Sequence, residues 1–467
     1  MTGNPQSEGS RQRARTTATP RQVAFDVLRA VTDDDAYANL LLPTRLRRAR
    51  LTGADAAFAT ELTYGTLRRR GHYDRVIALA AGRAIDAIDP VALDVLRLGA
   101  HQLLGMSTPA HAAVGETVEL TRRARAARTT GFVNAVLRTI SRDDDVTWTT
   151  RLLEGVTDPD ERDGIAHAHP AWIVHALREA LTREGRGSEL DDLLLADNTA
   201  PRVTLVALPG LCEPEALGDR TPYSPRGARS AAGDPASHPL VAAGAARVQD
   251  EGSQLAALVL SRARAVVPGE RWLDLCAGPG GKAALLAAEA RAGGAVLVAN
   301  EVVPARAELV RKALHTIDPA VEVRVGDGRA IGVLEPETYD RILLDAPCTG
   351  LGALRRRPEA RWRKTALDVA PLASLQAELL RSALAALKPG GVLAYVTCSP
   401  HPDETTAIVD DLFAERPAEV APLDARAVLA GIARTPLDLG ELAHGAAQLW
   451  PHRHGTDAMF IQLLTRR

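Results

Sequence analysis

Between residues 20 and about 143, apolar side chains return at three- and four-residue intervals. Val23, Val27 and Val31 do so first, then Leu93, Leu96, Ala100 and Leu103, and finally Val133, Val136, Leu137 and Ile140. That spacing lines one face of an α-helix. Pro43, Thr52-Gly53, Gly71, Asp89-Pro90, Thr108-Pro109 and Thr130-Gly131 interrupt it, so the pattern predicts several short helices. From about residue 246 the rhythm changes. Short apolar runs at 271–276, 295–300, 321–325, 341–344 and 391–397 alternate with helical segments. Runs that are apolar on both faces belong to a parallel sheet covered by helices on either side. Lys388-Pro389-Gly390-Gly391 is placed to stop a helix near Leu387, and 448–451 with 458–464 add a closing hairpin. Residues 144–245 are mixed. They hold a helix around 171–181, a strand at 203–208 and a Gly-, Pro- and Ser-rich loop at 218–239. The polar residues 1–19 read as a disordered basic tail.

At 467 residues the chain can bury two or three cores. No apolar stretch approaches the roughly 20 residues of a membrane helix, and residues 1–20 lack the apolar segment of a secretory signal. A cytoplasmic protein with no membrane partner is expected. Cys212, Cys276, Cys348 and Cys398 are too far apart for a disulfide framework or a zinc pattern. No metal is expected, and Cys212 reads as a small buried apolar residue. His452 and His454 resemble a metal pair only superficially, so packing is expected of them.

The net charge of −2 is unevenly spread. Residues 1–145 carry 21 arginines, no lysine and 16 acidic side chains, a net of +5. Clusters occur at Arg11, Arg13 and Arg15, at Arg45, Arg47, Arg48 and Arg50, at Arg68-Arg69-Arg70, and at Arg122, Arg123, Arg125 and Arg128. Arginine binds phosphate through a planar fork and stacks on bases. RNA binding and plain solvated helix faces both explain such clusters. Of the basic residues only Lys282, Lys312, Lys364 and Lys388 are lysines. Lys282 closes a glycine-rich loop, where a compact ammonium fits better than a guanidinium.

That loop is Leu273-Asp274-Leu275-Cys276-Ala277-Gly278-Pro279-Gly280-Gly281-Lys282. Its glycine spacing fails the dinucleotide and phosphate-loop patterns. A cup for an amino acid and a ribose fits better. Glu301 ends the second strand, where a carboxylate can accept both ribose hydroxyls. Asp327, in Gly326-Asp327-Gly328, follows the third and could accept from an adenine amino group. Signals at successive strand ends fall where open parallel sheets bind ligands, and they point to S-adenosylmethionine. Two later strands end in thiols, at Asp345-Ala346-Pro347-Cys348 and Thr397-Cys398-Ser399-Pro400. A thiolate adding to carbon 6 of cytosine makes carbon 5 nucleophilic enough to take a methyl group. The thiol must be deprotonated to act, and Asp345 stands where an acid could serve ring nitrogen 3. The target base must be single-stranded or flipped out to reach such a site. Arg355-Arg356-Arg357, with Arg361 and Arg363, is expected to hold the RNA backbone. With aromatics at 3%, base stacking is not expected to dominate recognition.

The N-terminal segment resembles the RNA-binding domain of the antitermination factor NusB. The matching residues are Ala24-Phe25-Asp26-Val27-Leu28, Val95-Leu96-Arg97-Leu98-Gly99-Ala100-His101-Gln102-Leu103-Leu104, Val114-Gly115-Glu116-Thr117-Val118-Glu119-Leu120 and Gly131-Phe132-Val133-Asn134-Ala135-Val136-Leu137-Arg138. The catalytic half is similar to RNA cytosine-5 methyltransferases. Its matching motifs are Val248-Gln249-Asp250-Glu251-Gly252-Ser253-Gln254, the Cys276–Lys282 loop, Asp345-Ala346-Pro347-Cys348-Thr349-Gly350-Leu351-Gly352, Arg355-Arg356-Arg357-Pro358-Glu359 and Tyr395-Val396-Thr397-Cys398-Ser399. Together the two halves resemble the 16S rRNA (cytosine-5) methyltransferases of the RsmB/Sun/Fmu family. The resemblance covers nearly the whole chain and is weakest at 144–245.

It implies an all-α NusB-like domain at 20–143 and a Rossmann-like class I methyltransferase domain at 246–467. The second has a mostly parallel seven-stranded sheet, and a small α+β connector at 144–245 joins the two. It also implies Cys398 as nucleophile and Cys348 as the thiol that assists product release. Cys276, Ala277, Gly278, Pro279, Gly280, Gly281, Lys282, Glu301, Arg306, Asp327 and Asp345 are implied at the cofactor or active centre, with Lys282 also facing the target base. The expected substrate is 16S rRNA, methylated by a monomer. The alternatives are another RNA such as tRNA, DNA, or a non-catalytic assembly factor that kept the fold. Gly278 replaces an alanine of the family loop, and Ala458-Met459 replaces Gly-Phe, which places the local pocket wall in question.

Overall fold

The computed structural model describes residues 18–124, 126–231 and 233–467. Most of the expected N-terminal tail, with Arg11, Arg13 and Arg15, and also Arg125 lie outside the described residues. The chain divides into two compact units: Met1–Thr66 with Ile77–Arg142, and Leu67–Val76 with Asp143–Arg467.

The first unit is helical. Thr19 opens helix Pro20–Asp33 by accepting from the Gln22 amide, and Pro20 occupies the first turn, where no amide hydrogen is needed. Asp89 caps helix Pro90–Leu104 in the same way through the Ala92 amide. This helix buries Leu93, Val95, Leu96, Leu98 and Ala100. Helices Ala110–Arg123 and Thr130–Ile140 pack against it. Pro43 does not break its helix as expected; Ala38–Ala49 runs through it. Burial of Ala38 and Leu42 in the core outweighs the one lost backbone bond.

The second unit begins with helices Asp145–Leu153, Pro159–Ala166, Ala171–Arg183 and Leu190–Asp197. A small antiparallel sheet follows, with β1 (Thr204–Ala207) between β2 (Gly227–Arg229) and β3 (Ala246–Val248). The stretch read as loop at 218–239 thus contains a strand.

The large sheet comprises β4 (Arg271–Asp274), β5 (Val296–Glu301), β6 (Glu322–Val325), β7 (Tyr339–Asp345), β8 (Leu387–Thr397), β9 (Val420–Leu423), β10 (Ala447–Gln448) and β11 (Phe460–Arg466). Seven strands lie in the order β10-β11-β8-β7-β4-β5-β6, and β9 adds an eighth by pairing with β11. Strands β4 to β8 are mutually parallel, and β11 runs antiparallel to β8. Lys388-Pro389-Gly390-Gly391 does end helix Val369–Ala386, but it also belongs to β8, with a register shift opposite Tyr339 and Arg341.

Side chains alternate between the two cores as strand geometry requires. Trp272, Leu343, Val392, Ala394 and Val396 enter one core with helices Glu251–Arg262 and Gly281–Ala292. Leu273, Ile342, Leu344, Leu393 and Tyr395 enter the other with helices Val369–Ala386 and Thr406–Glu415. The chain lays β5 and β6 on one side of β4, then returns to place β7 and β8 on the other. The crevice beyond the carboxyl ends of β4 and β7 is therefore the ligand position of this topology.

Candidate active site

The glycine loop leaves β4 at Asp274 and enters helix Gly281–Ala292. Gly280 takes a left-handed φ of +102°, and a Cβ there would lie 2.7 Å from the Ala313 Cβ. Only glycine meets both demands. A Cβ on Gly281 would meet nothing within 4 Å, so the loop is open there. Glu301, buried at the end of β5, accepts from the Gly278 and Val303 amides at 3.0 Å. Arg306 pairs with Glu301 and donates to the Gly278 carbonyl. The family's alanine at 278 would crowd this cluster, because its Cβ would lie 2.2 Å from Glu301 Oε2 and 2.9 Å from Arg306 Nε. Asp327 is exposed and paired with Arg329, whose amide it also accepts.

Two residues without an expected role complete this end of the sheet. Asn300 donates to the Leu275 and Gly326 carbonyls at 3.0 Å each, tying together the segments after β4, β5 and β6. Asp274 is buried, and neither of its oxygens has a hydrogen-bond partner among the described residues. Burial first, then the Asp345 charge, pushes its carboxyl up to about 8. The sequence signal for both was their place at a strand end.

Lys282 Nζ donates to Asp345 Oδ2 at 2.9 Å. Burial pulls the lysine down, but the charges of Asp345, Cys398 and Asp274 outweigh it and hold it above the ordinary lysine value. Cys348 follows β7 and Cys398 follows β8, and adjacency of the two strands sets their sulfurs 3.4 Å apart. The Cys398 thiol is held below the ordinary thiol value. The hydrogen-bond contact with Cys348 is the main cause, burial and Asp345 oppose it, and Lys282 and Arg357 assist. Cys348 is driven the other way by the same hydrogen bond, by burial, by the Cys398 charge, and then by the Glu404 and Asp345 charges. Cys276 is also pushed up, by burial and then by Asp274, Asp345 and Glu301. Only one of these three neighbouring thiols is favoured as a thiolate. Cys212 lies elsewhere, against the small sheet's core, where burial raises it.

The thiol segments are braced from behind. Gly352 N donates to the Cys398 carbonyl at 2.8 Å, and the Ala458 amide donates to the Gly352 carbonyl at 2.9 Å. The altered Ala458-Met459 pair is buried on both counts. Ala458 joins the core of helices Ala171–Arg183 and Leu190–Asp197 with Leu351, Leu354 and Trp450, and Met459 enters the sheet core. This part of the wall is therefore made by backbone. Asp250 caps helix Glu251–Arg262 and accepts from the Asp457 amide at 3.1 Å. Burial, then the Asp457 charge, raises it to about 6.

Of the five arginines expected to grip RNA, Arg355 and Arg361 are internal, Arg356 and Arg363 are half-buried and Arg357 is exposed. Arg361 is fully buried and donates to the Arg68, Ala168 and Asp197 carbonyls and to Asn198 Oδ1. It has no free face for phosphate. Burial brings it down to about 10 and lifts nearby Asp197 to about 7. Arg355 is buried and donates to the Gly455 carbonyl at 2.9 Å, while Arg356 is paired with Asp457. Arg68 is buried and Arg69 pairs with Asp145 at 2.8 Å. Arg47, Arg48, Arg50, Arg122, Arg123 and Arg128 are exposed. His452 pairs with Glu189, and His454 accepts from the Trp450 amide. Among the described residues no group of three side chains could hold a metal ion, and no helix is long and apolar enough to cross a membrane.

The sheet order, with its reversed last strand, and the glycine loop with acidic strand ends define a class I methyltransferase that carries a two-thiol centre. The residues fit S-adenosylmethionine: an open glycine turn, the Glu301 carboxylate, and a buried Asp274 lacking a donor such as an ammonium supplies. The family model described as 16S rRNA methyltransferase RsmB/F matches residues 263–465, and that of the NusB family matches 18–142. A Mycobacterium tuberculosis protein, named provisionally as a methyltransferase without a substrate, is 48% identical over 99% of both chains. Ribosomal RNA small subunit methyltransferase B of Pseudomonas putida is 33% identical over 85% of this chain and 89% of its own. In fold, the crystal structure of PH0851 matches with a TM-score of 0.78 at 22% identity, covering 96% of this chain and 98% of its own. A methyltransferase homologue from Pyrococcus horikoshii matches at 0.52 and 24% identity, over 67% of this chain and 100% of its own. The chain belongs to the RsmB/F family of 16S rRNA methyltransferases. It is an RNA methyltransferase that uses S-adenosylmethionine.

Proposed function

We propose that this chain methylates carbon 5 of a cytosine in 16S rRNA through a covalent bond between Cys398 and the base, acting as a cytoplasmic monomer. The observation that carries the reading is the pair of sulfurs held 3.4 Å apart at the ends of two adjacent strands. We assign catalysis to 246–467, RNA holding to the exposed arginines of 20–143, and bracing of the site to the connector at 144–245. Cys276–Lys282, Glu301, Arg306, Asp327 and Asp345 would hold the cofactor, with Asp274 toward its ammonium. When bound, the cofactor supplies an electrophilic methyl group.

The Cys398 thiolate adds to carbon 6, the electron pair of the 5,6 double bond shifts between carbons 4 and 5, and the pair of the carbon 4–nitrogen 3 double bond takes a proton at nitrogen 3 from the Lys282–Asp345 pair. Carbon 5 thereby becomes the nucleophile. After methylation a base takes the carbon 5 proton. The freed pair restores the double bond, the sulfur leaves carbon 6 with its own pair, and the proton on nitrogen 3 returns to the Lys282–Asp345 pair. Cys348, still protonated, donates its S–H to that departing sulfur, which is its part in release.

Adduct trapping with 5-fluorocytosine RNA tests this. Wild type should form a covalent complex, Cys398→Ala none, and Cys348→Ala should accumulate it. A full adduct yield from Cys398→Ala would remove Cys398 as nucleophile. Matched DNA should form none.

A further inference from the structure

We propose that Glu404 decides which thiol attacks: its buried carboxylate, bonded to Thr349 and linked through Gln376 to Pro347, keeps the Cys348 sulfur protonated and reserves the thiolate for Cys398. The inference rests on the covalent reading above and adds a positioning residue to it.

Two sulfurs in hydrogen-bond contact share one titration, and the second proton leaves only against the first charge. The surrounding charges decide which side keeps the proton. Lys282, Arg356 and Arg357 act on Cys398. Glu404 acts on Cys348, with the Tyr395 hydroxyl beside it. Asp345 acts on both sulfurs and is itself held by Lys282, so it does little to distinguish them. Of the two carboxylates, Glu404 is the one that does, on the side opposite the three cations.

Its placement is specific. Glu404 is fully buried at the end of the short helix Pro402–Glu404. Its Oε1 accepts from the Thr349 amide at 2.7 Å and from Gln376 Nε2 at 3.2 Å, and its Oε2 accepts from the Thr349 hydroxyl at 2.5 Å. Three donors and, among the described residues, no acceptor face it. Gln376 Nε2 also donates to the Pro347 carbonyl at 2.8 Å, so residues on both sides of Cys348 are fastened to this one group. The Tyr395 hydroxyl, with one hydrogen to give, lies 2.7 Å from the Glu404 carbonyl and 3.1 Å from Gln376 Oε1. Ser399 Oγ lies 3.1 Å from Thr349 Oγ1, which joins the residue after Cys398 to the same network. Glu404 thus fixes the spacing of the sulfurs and biases the proton between them.

The test is site-resolved alkylation of the full-length protein with iodoacetamide from pH 6 to 10, read by peptide mass spectrometry. Wild type should label Cys398 at least about tenfold faster than Cys348 near pH 7, the equivalent of one pKa unit. Glu404→Gln should bring the two rates within about threefold, chiefly by speeding Cys348. Glu404→Asp, which restores the charge, should restore the preference. Thr349→Val loosens the contact but leaves the charge, and should keep the preference. An unchanged ratio in Glu404→Gln overturns the proposal, as does a collapse of the ratio in Thr349→Val. If Glu404→Gln fails to fold, the wild-type profile decides, because equal or faster labelling of Cys348 overturns the proposal outright. Peptide mapping of the 5-fluorocytosine adduct separates the two readings. No wild-type adduct overturns covalent catalysis and leaves the labelling ratio to decide the role of Glu404, whereas a Cys348 adduct appearing in Glu404→Gln supports both.

Discussion

Replacing Gly352 with alanine would drive a methyl group into three backbone atoms at once. Its Cβ would lie 2.0 Å from the Ala458 oxygen and 2.8 Å from both the Ala458 carbonyl carbon and the Cys398 oxygen. Backbone atoms cannot rotate aside as a side chain can, so one of the three segments must shift. The shift stretches the bonds from Gly352 N to the Cys398 carbonyl and from Ala458 N to the Gly352 carbonyl, 2.8 and 2.9 Å long. Overpacking costs about 1–3 kcal/mol, and each weakened bond about 1 kcal/mol. The expected loss of stability is therefore about 3–5 kcal/mol. The displaced carbonyl belongs to Cys398, so its sulfur moves relative to Cys348. A misplacement near 1 Å costs on the order of 100-fold in rate. Urea unfolding measures the first quantity, and single-turnover methyl transfer to 16S rRNA under folded conditions measures the second. Cofactor affinity should change only a few-fold, because the glycine loop follows a different strand. A Gly352→Ala protein with wild-type urea midpoint and turnover would refute the bracing argument.

Lys282→Met should slow alkylation of Cys398 about tenfold at pH 7 by removing a cation that favours its thiolate; an unchanged pH profile would show that the lysine does not tune the sulfur. Asp274→Asn should grow more stable relative to wild type as pH rises from about 4 toward the folded value near 8. An acid raised on folding contributes stability below its unfolded pKa and loses it as pH climbs through the folded one. A stability difference flat across that window, by urea unfolding, would contradict the buried protonated state. Arg361→Met should cost about 3–5 kcal/mol in urea unfolding, because four acceptors and the Asp197 side chain lose a buried partner. Unchanged stability, with weaker RNA binding instead, would restore the phosphate role that its burial denies.

Local sequence determined what depends on local spacing. The helical interval around Leu93 and Leu96 placed the central helix of the first unit, and the doubly apolar runs placed the parallel strands, since both faces of that sheet are covered. The glycine loop declared itself because a tight turn against a helix admits little else. The two Cys motifs were recognisable by resemblance. Pairings between distant residues were not legible. Nothing near Glu404 in sequence announces that it fastens Thr349, and Arg361 reads as a surface cation until four distant acceptors close around it. Strand β9 is too short to signal itself and exists because β11 offers it an edge. The sequence by itself determined which elements form and which thiols are available. Only the tertiary structure brought the two sulfurs to 3.4 Å and set charges around them, because those groups come from strands and loops far apart along the chain.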